Sequence, residues 1–247
     1  QILANVENDI PKAIGEATVS VLVHEDALGA THTDSNNSTD TDLSTGNLES
    51  TAQTDSAIFT NTALQALVSP GADEDVTFAL DTTLTAAVAV QDKDGNPVTS
   101  QGSAVYMVYD DVSETIIGFA DDNTGGGTVG EYDAVNDRVV FTVDQTAGDG
   151  TTDDATDDEF TVNIDDQFDH TPGNDTGDDD ILSLNLTDAF TAQDFDLDPV
   201  DLTGQILANV ENDIPEAIGE ATVSVLVHED ALGATHTDSN NSTDADL

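Results

Sequence analysis

Apolar and polar residues alternate along this chain in short runs. Val19, Val21 and Val23 share one face of such a run, then Val76, Phe78 and Leu80, then Leu84, Ala86, Val88 and Val90. Further runs occupy residues 104–109, 114–120, 138–144 (Val139, Phe141, Val143), 159–164 (Phe160, Val162, Ile164) and 182–186. A period of two places alternate side chains on one face of a strand. Between the runs lie clusters of Asp, Gly, Asn, Thr and Pro, the residues that make turns. The rhythm predicts an all-β antiparallel sandwich, elongated, with a barrel as the other closed solution. One segment departs from it: residues 61–68 carry Leu64, Leu67 and Val68 at helical spacing and stop at Ser69-Pro70, which predicts a single short helix. Residues 31–53, 121–133 and 147–158 read as loops.

The second feature is a long repeat. Residues 1–43 recur as residues 205–247, with changes only at Lys12/Glu216 and Thr41/Ala245, so the period is 204 residues. That is far longer than a solenoid unit, and it predicts tandem modules that each bury their own core. The expectation is an excised window on a longer array, in which 1–10 is the end strand of a preceding repeat. Residues 11–213 are then one full repeat, in one or two subdomains, and 214–247 start the next. Residues 205–211 are accordingly expected to pair into the sheet of the module they follow, and residues 17–24 into the module they begin. Their copies, 1–7 and 221–228, are expected to lack those partners.

Composition changes the picture through charge. Asp and Glu number 52 against 3 Lys and Arg, a net charge of −49, yet 37% of residues are hydrophobic. A disordered acidic chain would be poor in Val, Ile, Leu and Phe, so a folded protein is expected. Its self-repulsion must be offset by screening salt or by bound divalent cations. Nucleic acid is excluded as a partner by like charge, as is insertion in an anionic membrane. The chain has no Cys, so neither disulfides nor thiolate metal sites staple it, and calcium is the expected staple. An enzyme is not expected. His24/His228 and His32/His236 are repeated positions, His170 is read as a turn residue beside Pro172, and no nucleophile elbow or zinc-helix motif is present. Tyr106, Tyr109 and Tyr132 are scattered along a chain without Trp, so sugar stacking and small-molecule substrates are expected elsewhere in the parent protein.

The phrase VENDIPEAIGEATVSVLVHEDAL resembles the joint between repeats of giant RTX adhesins exported by type I secretion. VTSQGSAVYMVYDD, the FTV and FTVNIDDQFDH passages, and AFTAQDFDLDPVDLTGQILANVENDIP agree with it in order, and together they cover most of residues 1–230. The family's Asp-x-Asp-Gly-Asp stands here as Asp194-Phe195-Asp196-Leu197-Asp198, without the Gly, and the glycine-rich nonapeptides are absent. The resemblance implies an immunoglobulin-like or cadherin-like extender module, monomeric in itself, whose partners are neighbouring repeats of the same chain. It implies calcium binding and a place outside the cell, on a bacterial surface, where the module spaces a ligand-binding tip in adhesion and biofilm formation. The rival reading is a surface-layer or secreted protein of an extreme halophile, whose acidic surface answers to monovalent salt.

Calcium takes six to eight oxygen ligands, and extracellular modules tolerate dissociation constants of about 10⁻⁴–10⁻³ M. At the joint the candidates are Asp9 and Asp213 before their prolines, with Glu25 and Asp26, and Glu229 and Asp230, after the next strand. The alternative there is a solvated acidic turn. Asp194, Asp196, Asp198 and Asp201 form the second candidate set, the first three read as lying on one side of an extended segment. Their alternative is a solvated edge that deters aggregation. Asp175, Asp178, Asp179 and Asp180 form another acidic loop. Asp92-Lys93-Asp94-Gly95-Asn96 opens like an EF-hand loop but has Ala104 where the bidentate Glu would stand, so a hairpin turn is expected.

Overall fold

The computed structural model describes residues 11–15, 17–28, 54–69, 76–121, 128–146, 158–170, 180–194, 197–202, 206–212 and 224. The chain divides into two units, Gln1–Pro215 and Glu216–Leu247, and all described residues but Ser224 belong to the first.

That first unit is all-β with one short helix. Its strands are β1 (Lys12–Ala13), β2 (Val19–His24), β3 (Ser56–Thr60), β4 (Val68–Ser69), β5 (Thr77–Leu80), β6 (Val88–Ala89), β7 (Gln91–Asp92) and β8 (Thr99–Ser100). They continue as β9 (Ser103–Asp110), β10 (Thr115–Ala120), β11 (Arg138–Thr146), β12 (Glu159–Ile164), β13 (Ile181–Asn185), β14 (Phe190–Gln193) and β15 (Ile206–Glu211). The larger sheet has the order β3-β12-β11-β10-β9-β6, with β8 paired to β9, and the smaller has the order β2-β15-β13-β7. Two-stranded pairs, β1-β4 and β14-β5, complete the set. Val23, Leu184, Ala208 and Val210 of the smaller sheet share one buried core with Phe59, Phe141, Phe160 and Val162 of the larger, a sandwich arrangement. Phe190 joins them edge-on, with ring centroids 6.0 Å from Phe59 and 5.1 Å from Phe160.

The helix α1 (Asn61–Leu64) starts where Thr60 Oγ1 accepts the Ala63 N–H at 3.2 Å, and a 3₁₀ turn, Gln65–Leu67, ends it. Leu64, Leu67 and Val68 are buried, as their spacing predicts. The alternating run 84–90 does not become one strand. Asp81 Oδ1 accepts from Thr83 N–H and hydroxyl, Leu84 N–H bonds Asp81 O and Thr85 N–H bonds Thr83 O, so turn chemistry holds the start of the run and Val88–Ala89 is the part that joins the ladder.

A bulge shapes the larger sheet. Gly118 pairs with Phe141 but Phe119 pairs with Val139, leaving Val140 as the extra residue. The phase therefore flips: Val140 and Phe141 both enter the main core, while Val139 turns to the opposite face with Phe119, Val108 and Ile117. Tyr106 and Tyr132 cover that second cluster, Tyr106 stacked on Phe119 at 5.9 Å and Tyr132 tilted against it at 5.2 Å. The bulged Val140 carbonyl accepts from Asp165 and Asp166 N–H, which anchors the residues after β12.

The smaller sheet joins segments from the two repeated stretches. β15 lies between β13, antiparallel, and β2, parallel, with Ile206 opposite Val19 and Glu211 opposite His24. Residues 206–211 and 19–24 thus pair side by side in one sheet of the first unit. Copies 1–7 and 221–228 lie outside the described residues, Ser224 excepted.

Candidate functional site

Two loops, 102 residues apart and so separated by half the long period, are built alike. LTAAVAVQDKDGNPV at 84–98 and LTDAFTAQDFDLDPV at 186–200 share Gln-Asp-x-Asp-x-x-Pro-Val. In the first, Asp92 N–H bonds Asn96 O at 2.9 Å, Gly95 N–H bonds Asp92 O at 3.0 Å, and Asn96 N–H bonds Asp92 Oδ1 at 2.8 Å. In the second, Asp194 N–H bonds Asp198 O at 3.2 Å, Leu197 N–H bonds Asp194 O at 3.1 Å, and Asp198 N–H bonds Asp194 Oδ1 at 2.8 Å. Gln91 bridges Pro97, and Gln193 bridges Pro199. These bonds bring Asp198 back onto Asp194 in a turn, so these two do not share the face of an extended segment as expected, while Asp196 lies outside the described residues. The missing Gly does not prevent the turn: Leu197 takes the left-handed φ of 71° that Gly95 takes at 83°.

The loops differ in how the aspartate is satisfied. Asn96 Nδ2 donates to Asp92 Oδ2 at 2.8 Å, and Asp94 N–H adds a bond to Oδ1, so Asp92 is closed by an internal amide. Burial raises the Asp92 carboxyl, but the bonds from Asn96 and Asp94 outweigh it and hold it below the usual range. In the second loop Asp198 stands where Asn96 stood and brings a carboxylate in place of the amide. Asp194 is 1% exposed, and its Oδ2 has no hydrogen-bond partner. A buried carboxylate oxygen without a donor is costly, and a cation is the group that would relieve it. Of the rest of this set, Asp198 is half-buried, Asp201 is exposed, and Asp196 lies outside the described residues.

The joint set is placed differently. Glu25 sits in the 3₁₀ turn Glu25–Ala27 that ends β2, 2% exposed. Its Oε1 accepts the Phe168 N–H at 2.6 Å and stands 3.4 Å from His170 Nε2. His170 is thus a buried partner of the carboxylate, and the expected bond from its ring to the backbone beside Pro172 is not made: its ring nitrogens make no hydrogen bond. One residue earlier, His24 Nε2 lies 3.9 Å from Glu211 Oε2, and Thr54 N–H bonds His24 Nδ1 at 3.3 Å. Glu25 and His24 are accordingly engaged within the module, at the end of the sheet where β15 leaves it. Of Asp26 only the backbone is described, and Asp9, Asp213, Glu229 and Asp230 lie outside the described residues, as do Asp175, Asp178 and Asp179.

A third polar centre surrounds Arg138. Its Nη1 donates to Ser100 Oγ at 2.9 Å and to Asp166 Oδ2, and Nη2 donates to Ser100 O at 3.1 Å. Asp166 is buried, so this ion pair is internal. Among the described residues, no group of three or more His, Asp or Glu is placed to hold a metal ion. The twinning of these loops was missed in the sequence; the shared Gln-Asp-x-Asp-x-x-Pro-Val is the signal that could have found it, and their bonding distinguishes them. Comparison with protein-family models, curated proteins and solved structures finds no match.

Proposed function

We propose that this chain is a structural extender module of a bacterial surface adhesin, immunoglobulin-like or cadherin-like, stiffened by calcium and joined end to end to copies of itself. The observation that supports the tandem reading is the parallel pairing of β15 with β2, by which one 204-residue period supplies both the first and last strands of a single sheet. A module closed in this way is a bead that spaces whatever it carries. It needs no catalytic cleft, and its partners are its neighbours in the chain.

Calcium fits the second loop on this chain's own chemistry. Asp194 Oδ2 is buried without a donor, and Asp198 replaces the amide that closes the twin loop. These two residues would hold the ion, and the ion would supply the positive charge that Asn96 makes unnecessary in the first loop. Melting should be measured in millimolar calcium and in excess chelator at constant ionic strength. The expected result is a melting temperature lower in chelator by well over a few degrees, and a smaller calcium response in Asp198→Asn, which restores the internal amide. Equal melting in calcium and chelator would remove the calcium reading. Recovery of the chelated protein by molar sodium chloride alone would favour the halophile reading.

A further inference from the structure

We propose that a cleft on the outer side of the larger sheet, between Tyr109 and Tyr132, binds an organic ammonium group. The cleft holds about 510 Å³, and Ala86, Ala87, Asp110 and Glu131 contribute to its lining. Small-ligand sites run from about 300 to 1,000 Å³ and combine aromatic walls with few polar groups. Two tyrosines far apart in sequence, Tyr109 and Tyr132, line it. The bulge turns Val139 to the outer face beside Phe119, Tyr132 packs against Phe119 there with ring centroids 5.2 Å apart, and Tyr109, which packs against the main core, also lines the cleft.

Charge selects the ligand class. Asp110 Oδ2 accepts the Ser113 hydroxyl at 2.6 Å and its N–H at 2.9 Å. These bonds, the hydroxyl foremost, hold the Asp110 carboxyl below the usual carboxylate range, so it is anionic at neutral pH. Glu131 adds a second, exposed carboxylate. No basic residue lines the cleft: Arg138 is bound to Asp166 and Lys93 to Asp94. Anions are repelled by this pair and by the net charge of −49. A neutral polyol would gain nothing from the field. A bare hard cation seeks six to eight oxygens, and among the described residues no group of three or more acidic or His side chains is placed to hold one. An ammonium on an aliphatic stem meets both features, since ring faces attract cations and the carboxylates lie beside them. A trimethylammonium compound and a lysine side chain share that chemistry. The inference is independent of the calcium reading.

The chain has no Trp and three Tyr, so tyrosine emission reports on this region. The full chain is titrated at constant ionic strength with choline, with an end-blocked lysine, and with 3,3-dimethylbutanol, the neutral isostere of choline. The expected result is a saturable change with choline or the blocked lysine, none with the alcohol, and binding at least threefold weaker in Glu131→Gln. The tighter of the two cations identifies the source of the ammonium. Asp110→Asn should weaken binding further, and Glu131→Gln, a surface change, carries the test if the Asp110 variant loses its hairpin. An equal response to the alcohol, a linear response that sodium chloride reproduces, or unchanged affinity in Glu131→Gln would overturn the proposal.

Discussion

Gly118 shows how one position sets the larger sheet. A Cβ there would overlap the Phe141 ring, so the ring occupies the volume that any other residue would need. Gly118→Ala is expected to cost about 1–3 kcal/mol by overpacking. Phe141→Leu should recover part of it, a coupling that a double-mutant denaturation cycle reads directly. Titrating residues at this scale act in opposite directions. The Val135 N–H, then Asn136, holds the Asp133 carboxyl below the usual carboxylate range, and the Ser113 hydroxyl does the same for Asp110. A depressed carboxyl contributes stability above its unfolded pKa and loses it as pH falls through the folded one, so these turns weaken in acid below about pH 4. Asp144 is the reverse: burial raises its carboxyl, so its charged form opposes folding and the penalty fades as pH falls. Asp144→Asn should therefore raise the melting temperature at pH 7, and the difference should shrink toward acid pH in a series of thermal scans.

At the scale of elements, β15 has a partner on each side, and its Asn209 stands opposite Ser183 of β13 and Leu22 of β2. Asn209→Pro removes a ladder donor from the middle of a sheet and leaves a carbonyl unpaired, a cost of about 1–3 kcal/mol before any steric effect. Chemical denaturation should show it as a lower midpoint. Asn5, its counterpart in the first copy, lies outside the described residues; if the period is phased as proposed, Asn5→Pro leaves the midpoint where it was, and an equal loss would move the module boundary. α1 offers a smaller test. Thr60→Ala removes the acceptor for Ala63 N–H and should cost about 1 kcal/mol.

For the whole molecule, charge dominates. With 52 acidic and 3 basic side chains, two of the basic ones already engaged by Asp94 and Asp166, repulsion is general and little of it is relieved by ion pairs. Salt shortens the screening length from about 10 Å at 0.1 M to about 3 Å at 1 M. Melting in chelator should therefore rise with sodium chloride through this range. If calcium acts at Asp194, its effect persists at the high end, where surface repulsion is screened but a buried oxygen still lacks a partner.

The sequence by itself determined the strand-rich fold, most strand positions, the short helix and the period. These depend on local alternation and on identity between copies, both of which survive in one dimension. Val139, Phe141 and Val143 were legible as one face, but the structure moved Val139 to the other, because a bulge is a mismatch between two strands and neither strand encodes it alone. Asp194, Asp196 and Asp198 were legible as an acidic cluster, while the turn that buries Asp194 and the amide that closes its twin depend on backbone geometry at Leu197 and Gly95. His170 read as a turn residue beside Pro172; its partner, Glu25, is 145 positions away and arrives only when the turn after β2 packs beside Phe168. The same holds for the tyrosines of the cleft. Side chains far apart in sequence meet only through the registers of several strands, and those registers are fixed by the shared core rather than by any one segment.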